Sequence, residues 1–219
     1  MRNPTTIPTS AEALMSQMTQ NTQQECFRWG ITQEMAQMII AQAYTIEVQS
    51  RKVNILRSQN LADIIAQVAA HMVNPKKSGM IFMGGVGCGK TTMVYALRRA
   101  HNYLYPNHKD KGIVIVDSSD IILQAQKQKN EEEYKTTDDL LAIDDLGKEP
   151  TEINIYGSIV QPIVEIFEQR YNRMLPTLVT TNLQRKQVAE KYGRRIADRF
   201  NEMFTIVNFP DESYRGRNR

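Results

Sequence analysis

Cysteine, histidine and tryptophan are scarce in this 219-residue chain, at two, three and one. Cys26 and Cys88 are too few for a disulfide framework, and neither has a second ligand at metal-binding spacing. His71, His101 and His108 form no cluster with cysteine or carboxylates, so no structural zinc is expected. Long apolar runs are also missing. No stretch approaches the ~18 residues of a membrane span, and Met1-Arg2-Asn3-Pro4-Thr5-Thr6 lacks the apolar core of a signal peptide. A cytoplasmic protein with no membrane partner is expected. Charge of one sign is equally short, the formal balance being +3. So weak a basic excess permits nucleic-acid contact without arguing for it. Charged residues make up 23%, near the value for ordinary soluble domains, so nothing argues for global disorder.

What is present divides in two. Residues 1–57 are rich in Gln, Met and Thr and contain no strand-like run, and they read as a small helical N-terminal region. Helices are expected over 10–19 and 31–50. In the second, Ile31, Met35, Met38, Ile39, Tyr44 and Ile46 recur at near-helical spacing and define one apolar side. That side either packs on the domain that follows or docks a partner protein. From 58 to 219 helical and strand-like segments alternate. Leu61, Ile64, Ile65, Val68 and Met72 line a helix that ends at Asn74-Pro75. Five short apolar runs follow: Met80–Met83, Ile113–Val116, Leu140–Ile143, Leu178–Thr181 and Phe204–Val207. The first four each lead into a helical segment, which is the signature of a parallel sheet covered on both faces. Runs this short also suit buried helix turns, and the glycine loop after the first decides for strands.

That loop is Gly84-Gly85-Val86-Gly87-Cys88-Gly89-Lys90-Thr91, a phosphate-loop pattern between an apolar strand and a helical segment. Glycines let backbone N–H groups wrap a triphosphate at the positive end of a helix. Lys90 is expected to reach the β- and γ-phosphates and Thr91 to offer a hydroxyl to Mg²⁺, with Thr92 closing the nucleotide-binding set. Cys88 reads as a small filler. Leu140-Leu141-Ala142-Ile143-Asp144-Asp145 carries an acidic pair at a strand end. Asp144 is expected to hold Mg²⁺ through water and Asp145 to polarise the attacking water, with Glu149 as the alternative base. The bland alternative is a solvated turn. Leu178-Val179-Thr180-Thr181-Asn182 ends another strand, and Asn182 is either a turn former or a partner of the γ-phosphate.

Together the phosphate loop, Ile143-Asp144-Asp145-Leu146-Gly147, Glu165-Ile166-Phe167-Glu168-Gln169-Arg170-Tyr171 and Thr180-Thr181-Asn182-Leu183 resemble the DnaC/IstB-type AAA+ ATPases. So do Arg195-Ile196-Ala197-Asp198-Arg199-Phe200 and Ser213-Tyr214-Arg215. That group contains bacterial and phage helicase loaders and the ATPase helpers of transposition. The resemblance covers residues 60–219. It implies an α/β P-loop NTPase of AAA+ type, with a five-stranded parallel sheet of order 5-1-4-3-2 and no full lid domain. It places Asn182 at the sensor-1 position and Arg215 at a sensor-2-like position. Arg199 takes the arginine-finger position, acting on ATP in a neighbouring subunit, with Arg195 as its support or rival. A solvated basic helix face is the alternative for Arg194, Arg195 and Arg199.

The resemblance therefore implies Mg-dependent ATP hydrolysis by a homo-oligomer acting in DNA replication, with a replicative helicase and single-stranded DNA as partners. Arg215, Arg217 and Arg219 make a basic end suited to DNA. A transposition helper working with a transposase is the second reading. A P-loop kinase or small-molecule NTPase is the third, against which stands the lack of an arginine-rich lid segment between the third and fourth strands.

Overall fold

A computed structural model describes Ser10 and residues 27–51, 58–106, 112–127 and 140–210. The helix expected over 10–19 lies outside the described residues, as do Ser213-Tyr214-Arg215 and the arginines that follow. Helices α1 (Gln33–Ser50) and α2 (Gln59–Val73) lead into β1 (Gly79–Met83) and α3 (Lys90–Leu104). Then come β2 (Val114–Asp117), α4 (Ser118–Lys127) and β3 (Leu141–Leu146). A hairpin, β4 (Ile153–Ile155) and β5 (Ser158–Val160), precedes α5 (Pro162–Asn172) and β6 (Thr177–Thr181). Helices α6 (Arg185–Tyr192) and α7 (Arg194–Met203) run into β7 (Phe204–Asn208).

Five strands form one parallel sheet in the order β2-β3-β6-β1-β7. Numbered by position among these five strands, this is the expected 5-1-4-3-2. Strand ends differ from expectation by one or two residues, and β3 runs on through Asp144 and Asp145 to Leu146. Gly79 opens β1 because a Cβ there would lie 2.1 Å from the Thr177 carbonyl oxygen of β6.

Strand alternation feeds two cores. Met80 and Phe82 of β1 join Ala142, Leu178 and Val207 beneath α1, α2 and α3. Ile81 points the other way and joins Leu141, Ile143, Val179 and Phe204 beneath α4, α5 and α7. At 25–30 cal/mol per Å², burying a Leu, Ile or Phe side chain stabilises by about 1.5–3 kcal/mol, so the sheet's two covers hold most of its stability. Among the described residues no helix is long and apolar enough to cross a membrane.

Helix α1 packs into the first core by only part of the side read from the sequence: Tyr44 is buried and Ile31 and Ile39 pack against the core. Ala36, Ile40, Ala43 and Tyr44 are buried, whereas Met35, Met38 and Ile46 are exposed. The alanines explain this. Small side chains let α1 approach α2 and α3 closely, while periodicity reading gives weight to the bulkier methionines. The chain just before α1 is tied to the same core. Trp29 donates its backbone N–H to the Met72 carbonyl at 2.6 Å and its indole N–H to His101 Nδ1 at 3.3 Å.

The hairpin was not anticipated either. Its turn, Tyr156-Gly157, has both residues at positive φ (51° and 91°), which only the glycine announces in sequence.

Candidate nucleotide site

The five sheet strands end at one edge, and the phosphate loop crosses it between β1 and α3. Gly84 sits at φ 155°, and a Cβ there would lie 2.6 Å from the Phe209 carbonyl oxygen. Phe209 in turn donates its N–H to the Met83 carbonyl at 2.7 Å, which clamps the loop's entry. Gly89 is the helix N-cap, left-handed at φ 101°, a conformation that strains other residues. The loop therefore delivers its amides to the positive end of α3. Cys88 is fully buried, its thiol donating to the Gly85 carbonyl at 3.0 Å, and fills the loop's interior. Val86 at the tip is exposed and Thr92 is buried on the helix.

Lys90 is only 5% exposed. Its ammonium donates to the carbonyls of Gly84 (2.8 Å) and Gly85 (2.6 Å) and to Asn182 Oδ1 (2.7 Å). All three acceptors are neutral, and Cys88 Sγ at 3.6 Å adds no charge. Among the described residues this buried cation has only neutral acceptors and no counter-charge, and such a site favours an anion. That is the fit expected of a phosphate-binding lysine. Asn182 and Lys90, 92 residues apart in sequence, meet here because β6 lies beside β1.

Beside them Asp144 Oδ1 accepts hydrogen bonds from the hydroxyls of Thr91 (3.0 Å) and Thr180 (2.6 Å). A carboxylate and a hydroxyl brought together at a phosphate loop are hard oxygen donors suited to Mg²⁺. The role of Thr180 was missed in the sequence, although the Thr180-Thr181-Asn182 run at a strand end marks it. Its hydroxyl also accepts the backbone N–H of Asp145 at 2.8 Å.

Asp145 itself adopts φ 56°, unusual for a residue other than glycine, and its carbonyl accepts from Ser118 at 3.0 Å. The Asp145 carboxylate is half-exposed and lies 3.5 Å from the Lys148 ammonium. Lys148 is also 2.5 Å from Asp117. Burial alone would raise the Asp117 carboxyl, but Lys148 and the Ser119 amide outweigh it and hold the group below its ordinary value. Asp117 in turn raises Lys148. Glu149 is buried, accepting from the Gly147 N–H at 2.9 Å and from the Tyr192 hydroxyl. Those contacts make it an anchor within its own turn. Burial, reinforced by Glu149, pushes the Tyr192 hydroxyl far above its usual range.

The arginines of α7 stand apart from this centre. Ile196, Phe200 and Met203 bury the inner side of the helix, and Phe200 stacks edge-on against Phe167 of α5 at 4.5 Å. Arg195 and Arg199, one turn apart, both face Glu168 of α5. Arg199 lies 2.8 Å from its carboxylate, stacks on Tyr171 at 4.8 Å, and is 13% exposed. Arg195 reaches the same carboxylate only at 3.5 Å and is 73% exposed. Arg194 is exposed as well. Arg215 lies outside the described residues.

A five-stranded parallel sheet with a phosphate loop after β1, an acid at the end of β3 and an asparagine after β6 defines the AAA+ type of P-loop NTPase fold. No family model matches the sequence, and no curated protein matches it. Solved structures do. The chain is similar to the DnaC helicase loader, with a TM-score of 0.53 and 25% identity over 71% of this chain and 93% of that one. It is similar to DnaI at 0.53 and 18%, over 71% and 88% of the two chains. AMPPCP-bound DnaA from Aquifex aeolicus matches at 0.52 and 19%, over 71% of this chain and 48% of DnaA. The chain therefore carries the fold of DnaC-type AAA+ proteins, as its motifs lead one to expect.

Proposed function

We propose that this protein is a Mg-dependent ATPase that assembles with copies of itself and acts in DNA replication in the manner of a helicase loader. The observation that carries the nucleotide site is Lys90, a buried ammonium with neutral partners at the start of a helix. Bound ATP with Mg²⁺ would supply a phosphoanhydride bond and a doubly charged Lewis acid. The loop amides from Gly84 to Gly89 and the Lys90 ammonium hold phosphate oxygens. Thr91 would hold the metal directly and Asp144 would hold it through water. The Asp145 carboxylate orients the attacking water, and Asn182 fixes Lys90 on the opposite side.

An exposed guanidinium is the one able to reach a neighbouring copy. On that ground Arg195 takes the trans-acting role and Arg199 supports it, the reverse of the assignment that the motif resemblance implies. Arg215 is kept as a sensor-2-like residue on the resemblance alone. The cytoplasm is the proposed place of action. Met35, Met38 and Ile46, exposed on α1 within the region 1–57, support a protein partner there, and similarity to a helicase loader makes a replicative helicase the proposed one. The basic end, Arg215, Arg217 and Arg219, is proposed for single-stranded DNA.

Two measurements test this. Steady-state ATP turnover, with and without Mg²⁺ and single-stranded DNA, should depend on the metal, and Asp144→Ala should shift that dependence to higher metal concentration. Affinity purification of the tagged chain from its host should recover a replicative helicase. Recovery of a transposase in its place would move the function to transposition. Absence of metal-dependent turnover with helicase and DNA present would remove the ATPase.

A further inference from the structure

We infer that Lys148 is a positioning residue for hydrolysis: anchored on Asp117, its ammonium orients the Asp145 carboxylate at the mouth of the phosphate site. The inference rests on the reading of Asp145 as the group that orients the attacking water.

Three observations lead to it. The turn that carries Lys148 is fixed from below. Glu149, 2% exposed, binds the Gly147 amide and the Tyr192 hydroxyl, and Lys191 donates to the Glu149 carbonyl at 2.6 Å. Gly147, at φ 112°, leaves no room for a Cβ, which would meet Leu183 at 2.7 Å. The turn is thereby riveted to α6, and Lys148 starts from a defined point.

Its ammonium is also held at the far side. Asp117, at the end of β2 and in register with Asp144 of β3, takes it at 2.5 Å. The second oxygen of Asp117 accepts the Ser119 N–H at 2.8 Å, so that carboxylate is itself oriented.

Asp145 finally has little freedom other than its side-chain torsions. Its N–H is bound by Thr180 and its carbonyl by Ser118, with φ fixed at 56°. Among the described residues, Lys148, 3.5 Å from Asp145 Oδ2, is the group in contact with that carboxylate.

A cation beside a carboxylate also weakens it as a base, so the two effects must be weighed. Both side chains are more than 40% exposed, 42% for Asp145 and 44% for Lys148. An ion pair at such a site is worth at most about fivefold in an equilibrium. The same pair can bias the orientation of the carboxylate by up to about that factor, whereas only part of a change in basicity reaches the rate of a proton transfer. Orientation wins, and Lys148 should help turnover rather than restrain it.

The test is a double-mutant cycle on steady-state ATP turnover by the full chain. Asp145→Asn should lower kcat by about 100-fold. Lys148→Met should lower kcat by about fivefold, leave KM for ATP within about twofold, and leave the thermal midpoint unchanged. Lys148→Arg should keep most of the activity, because a guanidinium can still bridge the two carboxylates. Combining Lys148→Met with Asp145→Asn should give no further loss beyond Asp145→Asn, since a positioning residue has nothing left to position. Parental kcat in Lys148→Met, or the same fivefold loss in the Asp145→Asn background, overturns the inference while leaving Asp145 in place. Parental turnover in Asp145→Asn overturns the reading beneath it and the inference together.

Discussion

Lys90 and Arg199 are both basic side chains withdrawn from solvent, but their surroundings differ. Lys90 meets two carbonyls and an amide oxygen, none of them charged. Arg199 meets a carboxylate at 2.8 Å and an aromatic face. The first charge has no counter-charge among the described residues, and on the proposed function it awaits an anion. The second is matched within its own chain and marks a clamp between α5 and α7. Burial alone does not tell a binding group from a structural one; the charge balance around it does. On α7 the same reasoning moves attention one turn back, to Arg195, which shares Glu168 but remains 73% exposed.

Lys90, Arg195 and Arg199 should differ most in turnover. Under conditions where copies associate, Arg195→Ala should lower kcat by about 1,000-fold, the lower end for an arginine acting on a transferred phosphoryl group. Arg199→Ala should cost far less. Mixing Arg195→Ala with Lys90→Ala should recover hydrolysis, because one mutant keeps a working phosphate loop and the other a working arginine. If Arg199→Ala proves the more damaging and complements in the mixture, the matched charge is the one that moves.

A second contrast concerns pH, away from both regions. His71 on α2 is 8% exposed and bonds Thr205 of β7 at 3.1 Å, and burial lowers it from 6.5 to about 4. Between those values the unfolded chain takes up a proton that the folded chain refuses. The stability is therefore complete above about pH 6.5 and falls as pH drops toward 4, by about 3 kcal/mol in all. His71→Gln should flatten this part of the profile in urea unfolding measured from pH 7.5 to 4.5. An unchanged slope would show that His71 accepts its proton in place.

Stability should separate the two arginines as well. Arg199→Met should destabilise the fold by about 1 kcal/mol, through loss of a partly buried ion pair and a ring contact. Arg195→Ala should change stability by less than about 0.5 kcal/mol, as exposed pairs do. The two residues would then rank in opposite orders for stability and for turnover. Equal losses of stability would mean that Glu168 holds both arginines alike.

The phosphate loop and the sheet order are legible in the sequence for physical reasons. Gly84 and Gly89 occupy backbone conformations that other residues resist, and the five apolar runs alternate with helical segments as a doubly covered parallel sheet requires. The position of Asp144 is legible because an acid at the end of a strand in a parallel sheet comes to the same edge as the loop, here beside Thr91.

What escapes is decided by tertiary placement. The buried side of α1 is set by Ala36 and Ala43, whose small size matters only against α2 and α3. Thr180 becomes a partner of Asp144 only because β6 lies beside β3. Lys148 has no motif, and its place beside Asp145 depends on a turn pinned by Glu149 to a helix over 40 residues away. Arg195 and Arg199 read alike until Glu168 and Tyr171 tell them apart.

The central claim is that the Lys90 ammonium is held ready for a phosphate anion. Calorimetric titration of ATP with Mg²⁺ into the parent chain and into Lys90→Ala tests it most directly. The parent should bind one nucleotide per chain saturably, and Lys90→Ala should show no measurable binding while unfolding at an unchanged temperature or slightly above it, since an uncompensated buried charge is removed. Equal affinity in the two proteins, or no binding by the parent, would contradict the claim.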